Sequence, residues 1–386
     1  MIVSGDTTVK YALRVSAASL FGIVFSAGAQ AADTYSGTNT VASPQVSQQS
    51  ASQTATQISS RISQAVSGAT GASGASGGFG GGGVPGGGGA PGGGGAPGGG
   101  VGGGAGSQGS SLEGGITGKA AGSATKNIGL WFNVGAAHAS DTHAFETFHG
   151  GINTAVAGVD YRVRDNVVVG VALGYEMARI TTTFNNGTLT ADNVALAPYI
   201  GYSINDNFSI DATAGYAFVN YGMTRNSGQA KGSTDGGRVF GSTNFTAQTS
   251  VDKWRLSTGL GYMYLQESQG RYTETGTGAM GVAAVNIRLG QLRSTNKVGY
   301  YEQTSWGSIM PYLMVRPEYD VNKSPAALLD ATSGTKSTAD RFGTTFGLGL
   351  SVAAGDDTSV NLEGTTSQFR SYLGMDGVSG TVRFRF

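Results

Sequence analysis

From residue 128 to the end of the chain, large apolar side chains recur at every second position. Val167, Val169, Val171, Leu173, Tyr175 and Met177 alternate with Val168, Gly170, Ala172, Gly174, Glu176 and Ala178. Phe208, Ile210, Ala212, Ala214, Tyr216 and Phe218 repeat the pattern against Ser209, Asp211, Thr213 and Gly215. Phe342, Phe346, Leu348, Leu350 and Val352 do so against Arg341, Gly343, Thr345, Gly347 and Gly349. A period of two over about ten residues predicts a strand with one apolar face. In a soluble sandwich the second face is wet and rich in charge; here it is mostly Gly, Ala, Ser and Thr. Alternating segments of about ten residues, parted by turns and edged by aromatics, are the pattern of a transmembrane β-barrel. Such a sheet must close, because hydrocarbon leaves no partner for a free strand edge.

The pattern divides into twelve strands: 128–139, 154–163, 167–179, 188–203, 207–220, 237–251, 254–269, 280–293, 304–319, 339–354, 358–369 and 375–386. The fold class is therefore all-β, a twelve-stranded antiparallel transmembrane barrel, and the even number suits a single-chain outer-membrane barrel. Connections at 164–166, 205–206, 252–253 and 355–357 are tight, whereas 140–153, 221–236 and 320–338 are long and polar. Short turns belong to the periplasmic side and long loops to the outside. The connection at 294–303 departs from this by being long on the turn side. At the end of the chain Val378, Val382, Phe384 and Phe386 alternate with Thr381, Arg383 and Arg385. The rings suit an interface girdle and the arginines a wet lumen.

Upstream of the barrel, assigned to 123–386, the chain changes character three times. Residues 1–31 read as a secretory signal peptide: Lys10 and Arg14 flank an apolar stretch, and Ala29-Gln30-Ala31 supplies the small-x-small cleavage pattern. Residues 32–67 are Ser, Thr, Gln and Ala with only Asp33 and Arg61 charged. Within them Val46, Ala51, Ala55, Ile58, Ile62, Ala65 and Val66 recur at helical spacing, so Gln45 to Val66 reads either as a thin amphipathic helix or as a disordered polar tail. Residues 68–122 are glycine blocks such as Gly86-Gly87-Gly88-Gly89-Ala90-Pro91 and read as a flexible tether. Gly74-Ala75-Ser76-Gly77-Gly78 matches a nucleophile elbow in letters only, since that motif needs a strand before it and a helix after.

Composition sharpens this division. The chain has 67 Gly among 386 residues and 12% charged residues, against about 7% Gly and a quarter charged in ordinary globular chains. Its 24 basic and 24 acidic residues cancel, so there is no basic footprint for nucleic acid. With no Cys, disulfides, thiolate metal sites and thiol nucleophiles are excluded.

With these features in place, a resemblance can be named. Gly158-Val159-Asp160-Tyr161-Arg162-Val163-Arg164-Asp165-Asn166, followed by Val169-Gly170-Val171-Ala172-Leu173-Gly174-Tyr175, resembles the second hairpin of autotransporter β-domains. Pro198-Tyr199-Ile200-Gly201-Tyr202, Asp211-Ala212-Thr213-Ala214-Gly215-Tyr216, Pro311-Tyr312 and Arg383-Phe384-Arg385-Phe386 continue it in order, over about 127–386. The resemblance implies a translocator barrel of type V secretion in the bacterial outer membrane. It further implies export through the Sec translocon and insertion into the lipid bilayer by the barrel assembly machinery, which reads Val382, Phe384 and Phe386 as an assembly signal. In the family a large β-helical passenger precedes the barrel and a helix leading into the first strand plugs the pore. The region from Ala32 to Gly122 has no passenger-sized domain and no β-helix repeats. Gly109, Gly114, Gly115, Gly118 and Gly122 make the stretch before the barrel a poor plug helix, each interior Gly costing about 1 kcal/mol against Ala.

Few residues suggest chemistry. His138, His143 and His149 lie near Asp141 and Glu146 in the first outer loop, an imidazole–carboxylate set of the kind that holds zinc or copper, but its spacing matches no fixed motif and the plain reading is a polar loop. Glu176, Asp211, Arg255, Arg341, Glu363, Arg383 and Arg385 fall on lumen positions, where charges either pair across the barrel or line a selective pore. The expectation is a non-enzyme without catalytic, metal or cofactor sites and without a small-molecule substrate. Its function is to anchor in the outer membrane and translocate or display the N-terminal tail. The alternatives are a surface structural or adhesive barrel acting through its loops, or a porin-like channel.

Overall fold

The computed structural model describes residues 38–67, 127–142, 147–324, 341–355 and 357–386. The expected signal segment 1–31 and glycine tract 68–122 lie outside the described residues, as do His143 and Glu146. One helix, α1 (Thr38–Ser67), precedes twelve barrel strands. These are β1 (Ile128–Asp141), β2 (Phe148–Arg164), β3 (Val167–Thr182), β4 (Gly187–Ser203), β5 (Phe208–Arg225) and β6 (Ala230–Val251). They continue as β7 (Trp254–Gln269), β8 (Val285–Tyr300), β9 (Gly307–Ser324), β10 (Phe342–Ala354), β11 (Thr358–Gln368) and β12 (Leu373–Arg385).

Every strand pairs antiparallel with the next, and β12 returns to β1 in a register running from Gly129 opposite Arg385 to Asp141 opposite Leu373. The last residue takes part in closure: the Phe386 amide donates to the Ile128 carbonyl at 2.9 Å. A closed ladder satisfies the strand backbones internally, which hydrocarbon requires.

The alternation sorts the two faces as expected. Leu173, Phe218, Leu260, Leu313 and Leu348 point outward and are more than half exposed, while Val168, Ala172, Glu176 and Asp211 are buried inside. Phe384 and Phe386 are exposed on the outer wall at the turn end, and Val382 is half-buried. On the lumen face, glycines sit directly across the ladder from aromatics: Gly158 opposite Trp131, Gly170 opposite Tyr199, Gly215 opposite Phe240 and Gly349 opposite Tyr312. Each ring covers its glycine so closely that a Cβ there would come within 2.1–2.4 Å of it. The lumen glycines are therefore sockets for rings, and the rings line the wall.

Several expectations are corrected. Strands eight and nine, placed at 280–293 and 304–319, run instead over Val285–Tyr300 and Gly307–Ser324. In β8 the usual polarity is inverted near the loop end: Val285, Ile287 and Leu289 face in while Asn286 is exposed. The outward row therefore carries too few large apolar residues to mark the strand. The long connection is consequently 270–284 on the loop side, and the turn side has only the short hairpin around Thr304 and Gly307. The stretches 140–153 and 221–236 are mostly strand, because β1, β2, β5 and β6 carry on pairing beyond the apolar part of the wall. Arg341 is exposed beside β10 and not in the lumen. His138 and His149 belong to β1 and β2, exposed on their outer faces with ring centroids 6.5 Å apart, so they do not form a loop cluster. Among the described residues no group of three or more His, Asp or Glu converges as a metal set.

Polar ties order both rims. At the loop end Arg225 Nε donates to both Glu274 oxygens at 3.0 and 2.8 Å, its Nη2 donates to Glu274 Oε2 at 2.6 Å, and it also donates to the Gly278 carbonyl. At the turn end Lys253 Nζ donates to Glu302 at 2.7 Å; that bond raises the exposed ammonium above the ordinary lysine pKa.

The ring-and-socket arrangement makes a testable claim. Gly170→Val would drive a side chain into Tyr199, whose hydroxyl also accepts a 2.9 Å bond from Trp131 Nε1. A loss of about 1–3 kcal/mol is expected, read as a lower urea midpoint in detergent. Gly281→Ala, where nothing lies within 4 Å, is expected to leave the midpoint unchanged.

Candidate functional site: the occupied lumen

The thirty residues of α1 extend about 45 Å at 1.5 Å per residue, more than the roughly 25 Å apolar band of such barrels. The helix lies inside the barrel. Its apolar stripe is the one read from the sequence, but it begins earlier, at Ala42. Ala42 and Val46 pack with Phe148, Ile152, Ile180, Leu189 and Met223 near the loop end. Ala51, Ala55, Ile58, Ile62 and Ala65 pack with Trp131, Val168, Ala172 and Tyr199 further toward the turn end. The helix therefore enters at the loop end and leaves at the turn end. The pore-filling helix is this distant segment, not the glycine-interrupted stretch next to β1.

Beside the apolar stripe runs a second one made of hydroxyls. Ser43, Ser47, Ser50 and Thr54 follow one another at spacings of four, three and four, which stacks them on one helix face. Ser43 Oγ donates to Gln269 at 2.8 Å, Ser47 Oγ to Glu267, Ser50 Oγ to Glu176, and Thr54 Oγ1 to Glu176 at 3.2 Å. Between the two carboxylates stands Arg238, whose Nε donates to Glu267 at 2.7 Å. Its Nη1 and Nη2 donate to Ser50 and Ser47 at 3.0 and 3.2 Å. Tyr221 and Gln269 also donate to Glu267, and Asn193 donates to Glu176 at 2.7 Å. The charged members Glu176, Arg238 and Glu267 are 2%, 3% and 0% exposed, so each depends on these bonds.

Further contacts fix the lower half of the helix. Gln57 Nε2 donates to Thr154 at 2.7 Å, and Ser59 Oγ donates to Asp211 at 3.2 Å. Arg293 donates to Ser52 and Thr56 at 2.6 and 2.9 Å. Of the lumen charges expected from sequence, Glu176 and Asp211 thus meet α1. Arg383 pairs instead with Asp160 at 2.8 Å near the β1–β12 seam. Glu363 accepts from Lys297 at 3.4 Å and from Tyr312 at 2.8 Å. Arg255 lies over the Tyr301 ring at the turn end, and Arg385 is half-buried beside the seam.

Sequence reasoning had no reading of Ser47, Ser50, Arg238 or Glu267. The usable signal was the hydroxyl stripe at helical period alongside the apolar one. Its partners are spread over β3, β6 and β7 and carry no local motif.

The arrangement is chemically a binding site for a Ser/Thr-rich helix, built from charge-assisted bonds each contributing about 1.5–3 kcal/mol. Removing Glu267 by Glu267→Ala strips Arg238 of its nearest counter-charge and is expected to cost about 3–5 kcal/mol, seen as a lowered denaturation midpoint. Helix seating can be tested directly because the chain lacks cysteine. A Cβ built at Gly174 lies 3.9 Å from Thr54 Cγ2 with no neighbour closer than 3.7 Å. The double variant Thr54→Cys/Gly174→Cys is expected to form a disulfide in the folded protein, detected as thiols that label only after reduction.

A helix threaded through a twelve-stranded barrel, with both barrel ends at the turn side, can now be set beside known proteins. The translocator domain of the autotransporter NalP from Neisseria meningitidis is 15% identical with a TM-score of 0.56, the match covering 67% of this chain and 88% of that one. The β-domain of the Bordetella autotransporter BrkA is 12% identical with a TM-score of 0.54, covering 67% of this chain and 100% of that one. At these identities the likeness is one of fold. No curated protein sequence matches the chain. The model of the autotransporter β-domain matches residues 130–365, and the chain belongs to that family of bacterial outer-membrane barrels.

Proposed function

We propose that this barrel anchors the chain in the outer membrane and displays the segment ahead of α1 at the cell surface. One observation carries the reading: α1 runs from the loop end to the turn end, bonded to the wall through Ser43, Ser47, Ser50, Gln57 and Ser59. In this orientation Thr38 stands at the outer end of the pore. Ser67 and Asn127 both stand at the turn end, so this reading assigns display to the segment ahead of α1 and not to the glycine tract. Export follows from the signal segment 1–31 through the Sec translocon, and insertion from the assembly machinery reading Val382, Phe384 and Phe386. The two outward rings beside the β1–β12 seam suit that reading. No enzymatic step is assigned to the barrel.

The test is an epitope inserted at 34–35, ahead of α1, and a second at 93–94 in the glycine tract, probed with antibody on intact cells. The first is expected to be reached directly and the second only after the outer membrane is permeabilised. An epitope at 34–35 that needs permeabilisation would refute display. For the assembly signal, deleting Phe386 is expected to lower the folded fraction several-fold, read as loss of the heat-modifiable gel shift; unchanged assembly would refute that role.

A further inference from the structure

The outer wall is not evenly covered by large side chains. Across β9 to β12 and β1 it carries an open groove of about 680 Å³, a volume in the range of small-molecule sites. Leu313, Leu348 and Val378, each more than half exposed, stand along it together with Phe346. Gly364 lies directly across the ladder from both Leu348 and Val378, so its missing side chain opens the gap between them. A Cβ built there meets only the Gly377 carbonyl, at 4.0 Å. From Phe386 back to Val378 and Asp376, a strand rising about 3.3 Å per residue at a tilt of about 40° climbs about 20–25 Å. The apolar band is roughly 25 Å tall, so the groove lies in its loop-side half, at the depth of the outer leaflet.

The loop-side end of the groove is polar and aromatic. Phe369, just past β11, has a φ of 67°, a left-handed backbone that bulky residues avoid. Glycine would take this turn without strain, yet the position carries a ring. That ring is 66% exposed and stands against the Phe346 ring in a T-shaped pair, with centroids 6.2 Å apart. Tyr372 is exposed on the same hairpin. Asp376, which lines the groove, lies across the ladder from His138, and both are exposed. The His149 ring is 6.5 Å from that of His138. Exposed rings beside a carboxylate and an imidazole suit a saccharide, whose C–H faces pack on aromatics and whose hydroxyls both donate and accept. The apolar groove below suits an acyl chain.

We propose that this face binds one outer-leaflet glycolipid, with an acyl chain over Gly364 between Leu348 and Val378 and the saccharide headgroup against Phe369, Asp376 and His138. The strained Phe369 is then kept because its ring closes the groove at the level of the headgroup. The proposal rests on the barrel lying in the outer membrane and not on what the segment ahead of α1 does.

The test is native mass spectrometry of the full chain, delipidated in mild detergent and then mixed with lipid A or, separately, with phosphatidylethanolamine. One lipid A per barrel is expected to stay bound, at a fraction at least fivefold above that of the phospholipid. Gly364→Leu, which fills the groove, is expected to lower the lipid A fraction at least fivefold in protein shown to be folded by its gel shift. Phe369→Gly is expected to lower it at least threefold although its backbone strain is relieved. Ala214→Leu, on the exposed outer face of β5 away from the groove, is expected to leave it unchanged. Equal retention of the two lipids, no lipid A bound to folded wild-type protein, or wild-type retention by Gly364→Leu or Phe369→Gly would each overturn the site. None of these outcomes alters which epitope antibody reaches on intact cells, so failure of lipid binding and failure of display are separable.

Discussion

Charge buried inside a barrel must be paired, and in this lumen the pairing is completed by a helix. Glu176, Arg238 and Glu267 come from β3, β6 and β7 and are all but inaccessible. The barrel wall supplies Asn193, Tyr221 and Gln269 as partners, and Ser47, Ser50 and Thr54 of α1 supply the rest. Taking α1 away would leave to water only the carboxylate lone pairs and guanidinium protons that Ser47, Ser50 and Thr54 now satisfy. Such a site disfavours apolar occupants and favours a helix bearing hydroxyls at matching heights. The small side chains of α1 then follow from space: Ala51 and Ala55 pack against a wall already narrowed by Trp131 and Tyr199.

Much of the barrel was legible because the membrane enforces it. Outward residues must be apolar, so Leu173, Leu196 and Phe218 mark their strands whatever the lumen contains. Where the outward row is weak, as in β8 with Asn286 and Asn296, sixteen residues of pairing with β7 carry the strand and no hydrophobic signal reports it. Loop lengths were overestimated for a related reason. Beyond the bilayer a hairpin needs only backbone pairing, as between Arg225 and Ala230 at the tip of β5 and β6, and polar sequence there looks like loop.

The helix was half legible. Its apolar stripe could be read, but the stripe was too thin to predict packing, because half of what holds α1 is polar. Ser43, Ser47, Ser50 and Thr54 look like solvated tail residues until Gln269, Glu267 and Glu176 are seen facing them. The plug also lies far from the barrel in sequence, between Thr38 and Ser67, whereas the stretch beside β1 is the natural place to look. This placement gives the lumen its occupant: a short segment whose start, Thr38, faces the loop end and whose last residue, Ser67, stands at the turn end.

Every lumen contact requires α1 to be part of the folded barrel, and amide hydrogen exchange of the purified full chain in detergent tests that most directly. A helix bonded to the wall exchanges slowly, so residues 46–62 should be protected to an extent comparable with β3 and β5, with Glu176→Gln accelerating their exchange at least tenfold while the strands stay protected. Exchange of residues 46–62 within seconds in the wild-type protein, alongside protected strands, would show an empty lumen and contradict the account.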